Sequence, residues 1–393
     1  MPEAVIVDAV RSPMGRGRKG GALAEAHPAD LLAQVLRALV ERTGIDPGTV
    51  EDVLVGCVGQ AGEQSATPGR QALLAAGFPV TVPSATIERK CGSGQQAIDF
   101  AVQGVLAGAY DVVIAAGVES MSRVPMGSAR MGQDPYGQGV AERFPLLPPQ
   151  GVAAELVARR WNLSRARLDE YSARSHARAA RARAAGRFDD ELVAVRAGGA
   201  TVRTDETIRE GSTPALLSAL APAFAREPWT SHYPDLDWKI TAGNSSQITD
   251  GAAAMLVMSA PHARALGLRP RARVVASAVV GDDPVLMLTG PIPATAKVLA
   301  RSGLGLADLA AVEVNEAFAP VPLAWQAEFP VPDDRLNPVG GAIALGHPLG
   351  ASGVRLAVTL LAHLEHVGGR YGLQTMCEAG GMANATIFES LRR

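Results

Sequence analysis

The residue whose setting most favours covalent chemistry is Cys91, which lies between a β-type run and Gly92-Ser93-Gly94. The segment that follows has a helical pattern, so Cys91 is predicted to lie at a helix N-terminus. Free N–H groups and the positive end of a helix dipole stabilise a thiolate, and neighbouring glycines let a ligand approach closely. Cys91 is therefore a candidate nucleophile, although most free cysteines are buried structural residues.

Three further residues could act beside a nucleophile. His347 is held between Gly346 and Pro348, which restricts the orientation of its ring. Cys377 ends one β-type run and Asn315 follows another. An asparagine at a strand end can donate to an anionic oxygen, directly or through an ordered water. The structural alternatives are a hydrogen-bonded histidine, a buried thiol and a turn.

Two cysteines and a histidine in one cleft would suit acyl transfer through a covalent thioester. One cysteine would be the nucleophile with the histidine as its base, and the second cysteine would be free to move a different proton. These residues lie in separate segments without the spacing of zinc ligands, so we expect no metal.

Strands and helices must alternate to bring these residues together. Short apolar runs at 4–10, 53–58, 84–88 and 111–117 predict strands, and periodic segments at 29–42 and 95–107 predict helices. The pattern resumes after residue 252 and ends with predicted strands at 372–377 and 383–388. This alternation predicts an α/β fold with a mostly parallel sheet between helical layers.

The two ends of the chain look like copies of one unit. A Ser-Gly turn precedes an apolar helix in each half, in Cys91-Gly92-Ser93-Gly94 and in Gly350-Ala351-Ser352-Gly353. Cys91 follows Cys57 by the same number of residues as Gly350 follows Glu316, and Cys57 and Glu316 each lie at the end of an earlier predicted strand. Each helix then leads to an apolar strand with a glycine just past it, at Gly117 and Gly380. Duplication is the favoured interpretation, and chance coincidence of two Ser-Gly turns is the alternative.

A change of pattern predicts the domain organisation. We expect an N-terminal half at 1–118 that continues at about 242–264, an inserted loop domain at 119–241, and a C-terminal half at 265–393. The insertion contains helical segments near 152–161 and 165–185 and many Met, Pro and Gly residues. We expect it to cover the cleft and to supply ligand contacts.

Composition excludes several classes of protein. The 393 residues carry 37 Lys+Arg against 39 Asp+Glu, which argues against nucleic acid as the main partner. The sequence shows no signal-peptide pattern at its start and no apolar run long enough for a membrane span. Three cysteines make a disulfide framework improbable, so a reducing, cytoplasmic location is expected.

The motifs together resemble the thiolases, the acetyl-CoA acyltransferases and acetyl-CoA acetyltransferases. The resemblance covers nearly the whole chain, and its motifs occur in the order of the family. They are Cys91-Gly92-Ser93-Gly94, Gly117-Val118-Glu119-Ser120-Met121-Ser122, Thr241-Ala242-Gly243-Asn244-Ser245-Ser246, Gly290-Pro291-Ile292-Pro293-Ala294, Asn315-Glu316-Ala317-Phe318-Ala319 and Gly346-His347-Pro348-Leu349-Gly350-Ala351-Ser352-Gly353. The family fold implied is a pair of duplicated βαβ-rich halves that form a layered α-β-α-β-α core.

The resemblance also implies a role for each residue. Cys91 matches the nucleophile that becomes acylated, His347 the base that activates it, and Cys377 the residue that handles the α-proton of acetyl-CoA. Asn315 matches an asparagine that builds an oxyanion site with the histidine through water. A second oxyanion site would use the backbone N–H groups of Cys91 and Ala379.

Contacts to coenzyme A (CoA) are implied less directly. Ser246 matches a serine at the pantetheine arm, Arg209 an arginine near the nucleotide end, and Met287 a methionine that lines the acyl pocket. Departures from the family pattern fall mainly on the substrate side. They are Glu378-Ala379 after the second cysteine, Ser245-Ser246-Gln247, Leu288, and Pro149-Gln150 where short-chain biosynthetic members carry a His-Met pair.

The function implied is that of a 3-ketoacyl-CoA thiolase of fatty acid β-oxidation, working by ping-pong acyl transfer or by the reverse Claisen condensation. CoA is a co-substrate and no other cofactor is expected. A homodimer or homotetramer is expected, because thiolase-like cores pair through a sheet edge. The alternatives are a catalytically silent, thiolase-like CoA-binding or scaffolding protein and a ketoacyl synthase-like condensing enzyme. Cys377 in place of a second histidine argues against the synthase.

Overall fold

A computed structural model describes residues 3–392. They form a large mixed sheet with helices on its outer faces and two helices between the inner faces of its two halves. Met1, Pro2 and Arg393, which the predicted domains include, lie outside the described residues. The strands are β1 (Ala4–Arg11), β2 (Gly15–Arg16), β3 (Asp52–Gly56), β4 (Ser84–Ile87), β5 (Val112–Ser120), β6 (Val195–Ala197), β7 (Ala200–Val202), β8 (Thr249–Ser259), β9 (Ala272–Gly281), β10 (Leu309–Val314), β11 (Tyr371–Glu378) and β12 (Met382–Ser390). The helices are α1 (Pro28–Thr43), α2 (Pro68–Ala76), α3 (Ser93–Leu106), α4 (Gly137–Arg143), α5 (Gln150–Arg160), α6 (Arg165–Ala184), α7 (Pro214–Ser218), α8 (Trp229–His232), α9 (Ala260–Ala265), α10 (Pro291–Ser302), α11 (Pro320–Glu328), α12 (Ala342–Leu345) and α13 (Leu349–Val367).

The sheet consists of two half-sheets that meet at one residue pair. The N-terminal half has the order β4-β3-β5-β8-β1 and the C-terminal half the order β10-β11-β12-β9. Ile6 of β1 pairs with Ala272 of β9 and joins them. No helix of the described residues is long and apolar enough to cross a bilayer.

The prediction of a mostly parallel sheet is wrong. β3 is parallel to β4 and β5, and β10 is parallel to β11, but β5, β8 and β1 are antiparallel in series, as are β11, β12 and β9. β11 and β12 are joined by three residues only, 379–381, and so short a connection forces an antiparallel pair. The alternation of strands and helices in the sequence did not reveal these antiparallel pairs. The last strand of each half, β8 or β12, follows the preceding core strand without a core helix between them.

The duplication is confirmed by the topology. Each half has the same strand order and directions, although the counterpart of β4 in the C-terminal half is reduced to a parallel bridge between Val312 and Leu336. The first helices of the two halves, α1 and α10, both end at a glycine with φ of 70°, Gly44 and Gly303. The match of Gly117 to Gly380 is wrong, because Gly117 lies inside β5.

Three buried clusters define the layers. Leu32 of α1 and Leu73 of α2 pack on the outer face of the N-terminal half-sheet, and Val298 of α10 and Trp325 of α11 pack on that of the C-terminal half-sheet. The third cluster joins α3 and α13 to the inner faces of both half-sheets. The order is therefore helix, sheet, helix, sheet, helix, as the predicted α-β-α-β-α core requires.

Glycine allows the two central helices to begin side by side. A Cβ on Gly117 would lie 2.3 Å from the carbonyl oxygen of Gly350, and one on Gly353 would lie 2.0 Å from the backbone nitrogen of Gln95. Larger residues at these positions would push α13 away from β5 and α3. The closeness of the helix N-termini places the segments that contain Cys91 and His347 at one point of the molecule.

The long helices of the stretch between β5 and β8 pack on the C-terminal half. Val157 of α5 shares a buried cluster with Trp325 of α11, and Ala179 of α6 shares one with Ala344 of α12. The predicted helices at 152–161 and 165–185 correspond to α5 and α6. The segment 125–143 is exposed apart from the half-buried Ser128, and its exposed residues include Met126 and Met131.

Candidate active site

A cavity of about 140 Å³ lies beside the N-termini of the two central helices and the end of β11, and it brings three of the predicted catalytic residues together. Cys91, His347 and Cys377 all line it. The rest of its wall is mostly apolar and comes from both halves and the insertion. The other lining residues are Met121, Met126, Gln150, Phe224, Ser245, Ser246, Gln247, Ile248, Leu288, Ala317, Phe318, Leu349 and Ala379.

A tight turn between β4 and α3 presents Cys91 to this cavity. Lys90 takes the left-handed conformation with φ of 47°, which residues other than glycine rarely adopt. The Ser93 hydroxyl braces the turn, since it donates to the Lys90 carbonyl at 2.6 Å and accepts from the Arg89 N–H at 2.9 Å. The Cys91 side chain is thereby fixed before the first turn of the helix.

The expected stabilisation of a Cys91 thiolate by the helix end does not prevail. Burial, followed by the charge of the nearby Glu378 carboxyl, raises the pKa of the Cys91 thiol to about 12. The backbone N–H groups of Ala379 and Cys91 act in the opposite direction but are outweighed. The resting group is therefore a neutral thiol, and a base must take its proton before it can attack.

His347 is placed and polarised to be that base. Its Nδ1 lies 2.6 Å from the Ser352 hydroxyl, which donates its own hydrogen to the Pro348 carbonyl at 2.8 Å. Nδ1 must then carry the ring proton, which leaves a lone pair on Nε2. Burial, followed by the charge of Arg355, lowers the pKa of His347 to about 3, so the ring is neutral at neutral pH.

Asn315 lies on the other side of the histidine ring. Its Nδ2 is 3.4 Å from His347 Nε2, and its side chain is buried directly after β10. Once Nε2 holds a proton, the ring and the amide can both donate toward the same oxygen. This arrangement suits one oxyanion site, with the histidine serving as base and then as donor.

A second set of donors lies beside the cysteines. The backbone N–H groups of Ala379 and of Cys91 itself lower the pKa of the Cys91 thiol. Gly380 and Gly381 take positive φ of 94° and 77°, whereas Ala379 does not, so an alanine fits this turn without strain. Burial raises the pKa of Cys377 well above its usual value, and the proximity of Cys91 adds to that.

A second, wider cavity of about 480 Å³ continues from the first. Ser245, Ser246, Gln247 and Ile248 line both, so Ser246 lies at the junction. Arg209 lines the outer part. Met287, which was predicted to line the acyl pocket, is buried beside it, and its neighbour Leu288 contributes to the wall instead.

Sequence reasoning missed several residues of this region. Arg16 and Arg18 join Arg209 around the second cavity, and their proximity to each other in the sequence was the available signal. Phe224 and Phe318 meet edge to face, with ring centroids 6.1 Å apart, at the wall of the first cavity. Phe224 lies in a loop of the insertion, and no periodic pattern marks it.

Comparison with known proteins agrees with this geometry. The family models "Thiolase, N-terminal domain" and "Thiolase, C-terminal domain" match residues 4–261 and 268–390. The chain is 44% identical to "Steroid 3-ketoacyl-CoA thiolase FadA6" of Mycobacterium tuberculosis, over 100% of this chain and 95% of that protein. It is 42% identical to a "3-ketoacyl-CoA thiolase" of Erwinia tasmaniensis, over 100% of both chains.

A solved structure extends the likeness to the fold. The acetyl-CoA acetyltransferase of Bacillus anthracis superposes with a TM-score of 0.88 at 37% identity, over 100% of this chain and 99% of that one. Family models, full-length relatives and fold all identify the same family. The chain belongs to the thiolase family of acyltransferases.

Proposed function

We propose that this protein is a 3-ketoacyl-CoA thiolase that transfers an acyl group through a thioester on Cys91. The observation that carries the proposal is the shared cavity of Cys91, His347 and Cys377. Two neutral thiols and a neutral imidazole are the groups that this reaction needs at rest. A catalytically silent scaffold is not favoured, because all three reactive residues are present and face one cavity.

The first half-reaction makes the acyl-enzyme. His347 Nε2 takes the proton of the Cys91 thiol, and the sulfur attacks the 3-keto carbon. The bond between C2 and C3 then breaks, and its electron pair leaves with acetyl-CoA as an enolate, which takes the proton of the Cys377 thiol. The acyl group is left on Cys91, beside a protonated His347 and a Cys377 thiolate.

The second half-reaction returns the enzyme to its starting state. The proton on His347 passes to Cys377, and His347 then takes the thiol proton of an incoming CoA. The CoA sulfur attacks the acyl carbon, Cys91 leaves as a thiolate, and it recovers its proton from His347. The same steps in reverse form a carbon–carbon bond, so the site supports condensation as well.

Thiolysis of 3-ketoacyl-CoA substrates of increasing chain length, followed by loss of the enolate absorbance, tests the proposal. The first cavity is small for a ligand site, since such sites commonly enclose about 300–1,000 Å³. We expect acetoacetyl-CoA to be cleaved with a kcat/KM about tenfold higher than a 3-ketodecanoyl substrate, since each methylene beyond the cavity loses its apolar contact. Absence of thiolysis at every chain length would support the silent alternative.

The second cavity supports a CoA site with its phosphates near three arginines. Partial burial lowers the pKa of Arg209, and the charges of Arg16 and Arg18 lower it further, so the cluster gains from a bound anion. The relatively open region beyond Ser246 would then hold the pantetheine arm.

Arg209→Ala tests this assignment. We expect KM for acetoacetyl-CoA to rise about tenfold, the worth of one hydrogen bond to a charged group, with kcat nearly unchanged. An acetoacetyl thioester of pantetheine lacks the nucleotide and is the matched control, because its KM should not respond to the substitution. An equal rise in KM for both substrates would contradict the placement of Arg209 at the nucleotide end of CoA.

We also propose that two copies associate through the edge strand β4. β4 ends the sheet order and is partly exposed, so its outer N–H and C=O groups are available to a second chain.

The three cysteines are free thiols, and a reducing cytoplasm would keep the reactive pair in that state.

A further inference from the structure

Glu378 is a fully buried carboxyl group directly beside the catalytic cysteines that the reaction above does not use. It follows Cys377 on β11, so the two side chains point to opposite faces of the strand. Cys377 faces the cavity, while Glu378 faces the start of α3: a Cβ on Gly92 would lie 1.9 Å from Glu378 Oε1. Neither carboxyl oxygen has a hydrogen-bond partner among residues 3–392.

The other half of the molecule shows what an ionised carboxylate at this place requires. At the offset that relates Cys91 to Gly350, Glu378 corresponds to Glu119 on β5. The Glu119 carboxylate accepts hydrogen bonds from the N–H groups of Val58, Gly59 and Gly350, each at 2.9 Å, and one from the side chain of Gln64 at 2.8 Å. Four donors surround Glu119, and none of the described residues replaces them at Glu378.

The other polar atom close to this point above Gly92 is also an acceptor. Asn384 Oδ1 lies 2.7 Å from the same point above Gly92 and has no partner among the described residues. The Asn384 amide donates to Gln96 Oε1 at 3.2 Å and to Asp99 Oδ2 at 3.4 Å, so its nitrogen is already used. Two acceptors in the same small space repel unless one of them carries a hydrogen, and a carboxyl group can carry one.

We propose that Glu378 is a positioning residue that must stay a neutral carboxylic acid for the thiolase reaction, because its ionisation opposes thiolate formation at both Cys91 and Cys377. The inference rests on the proposed function and adds a group that controls it. As an acid, Glu378 donates toward Asn384 Oδ1 and leaves no net charge behind the cysteines. As an anion, it places a negative charge behind both sulfurs in a site with little water to screen it.

The charged surroundings support this state. Burial raises the pKa of Glu378 and Arg89 opposes this effect, while Asp99 of α3 and Glu88 of the segment after β4 act with burial. The resulting pKa is about 8. In turn, Glu378 raises the pKa of Cys91 and of Cys377. The carboxyl is therefore protonated below about pH 8 and ionised above it, and the two thiols become harder to ionise as that proton is lost.

Glu378→Gln keeps the shape of the side chain and cannot ionise, so its pH profile tests the inference. We expect kcat/KM for thiolysis to match that of the native enzyme within about twofold at pH 6.5. By pH 9.5 we expect the variant to be about tenfold faster than the native enzyme, the effect of one unit of thiol pKa. Glu88→Gln removes a more exposed carboxylate from the same neighbourhood but keeps Glu378. This control should keep the loss of activity at high pH, displaced to slightly lower pH because Glu88 raises the pKa of Glu378.

Alkylation of Cys91 by iodoacetamide gives a second reading that does not depend on turnover. A buried thiol of high pKa should react about tenfold faster for each unit of pH. In the native protein we expect this rise to flatten around pH 8 as Glu378 ionises, and in Glu378→Gln to continue unbroken. Mass spectrometry of the Cys91 peptide measures both rates.

The outcomes separate this inference from the proposed function. A flattened alkylation profile in a native protein that shows no thiolysis would support the role of Glu378 and contradict the proposed thiolase function. An active native enzyme whose ratio to Glu378→Gln stays constant from pH 6.5 to 9.5 would overturn the role of Glu378. If the variant does not fold, an unbroken rise of alkylation in the native protein alone would also overturn it.

Discussion

Replacing Cys91 with serine is expected to abolish thiolysis, acyl exchange and acyl-enzyme formation together. The Cys91 thiol already has a pKa of about 12 in its buried position, and a serine hydroxyl in the same place is far harder to ionise. The His347 ring, whose pKa burial lowers to about 3, is too weak a base to bridge that gap. We expect a loss of about 10⁴-fold or more in kcat, measured by the enolate assay.

Mass spectrometry after mixing with acyl-CoA identifies the acylated residue. The native protein should carry the acyl mass on the peptide that contains Cys91, and Cys91→Ser should carry none. Cys57→Ser is the matched control, because Cys57 is buried, free and outside the cavity wall. Acylation of Cys377 or Cys57 in the native protein would contradict the role of Cys91.

Replacing Cys377 with alanine is expected to separate two activities. Exchange of an acetyl group between acetyl-CoA and labelled CoA breaks no carbon–carbon bond, so it needs Cys91, His347 and an oxyanion site only. Thiolysis also requires a proton at the α-carbon of the leaving acetyl-CoA. We expect exchange to stay within about tenfold of the native rate, while thiolysis falls by about 10²–10⁴-fold.

Glu378 is the residue that would obscure this result if its carboxyl group replaced the lost thiol as the proton donor. Its side chain lies on the face of β11 opposite to Cys377 and does not line the cavity. The double variant Cys377→Ala, Glu378→Gln should therefore lose no more thiolysis than Cys377→Ala. Equal loss of exchange and thiolysis in a variant that stays folded by circular dichroism would contradict the role of Cys377.

The candidate catalytic residues were accessible from the sequence because each lies beside a strand end or a glycine turn. Cys91 and His347 lie on connections, where backbone geometry demands particular residues and leaves a local signal, and Cys377 lies near the end of β11, before the glycine turn. The layered core and its duplication were accessible for the same reason, since helix ends and Ser-Gly turns repeat in order.

Strand direction and electrostatics were not accessible from local pattern. The antiparallel pairing of β5 with β8 joins residues on either side of the long insertion, and no spacing encodes which strands become neighbours. The pKa of Cys91 depends on burial and on Glu378, which is distant from it in the chain. A helix-end rule that considers only adjacent residues predicts a thiolate, whereas the folded surroundings produce a thiol.

The contact of Gly350 with the end of β3 limits how many reactive centres the duplicated architecture can hold. Gly350 occupies the position in its half that Cys91 occupies in the other, and a Cβ there would lie 2.6 Å from the Cα of Cys57. No side chain, and so no second nucleophile, fits at that point while α13 stays against β3. Repeating the unit therefore yields one working site rather than two: one repeat supplies the attacking sulfur, and the other gives up that position and supplies His347, Asn315 and Cys377.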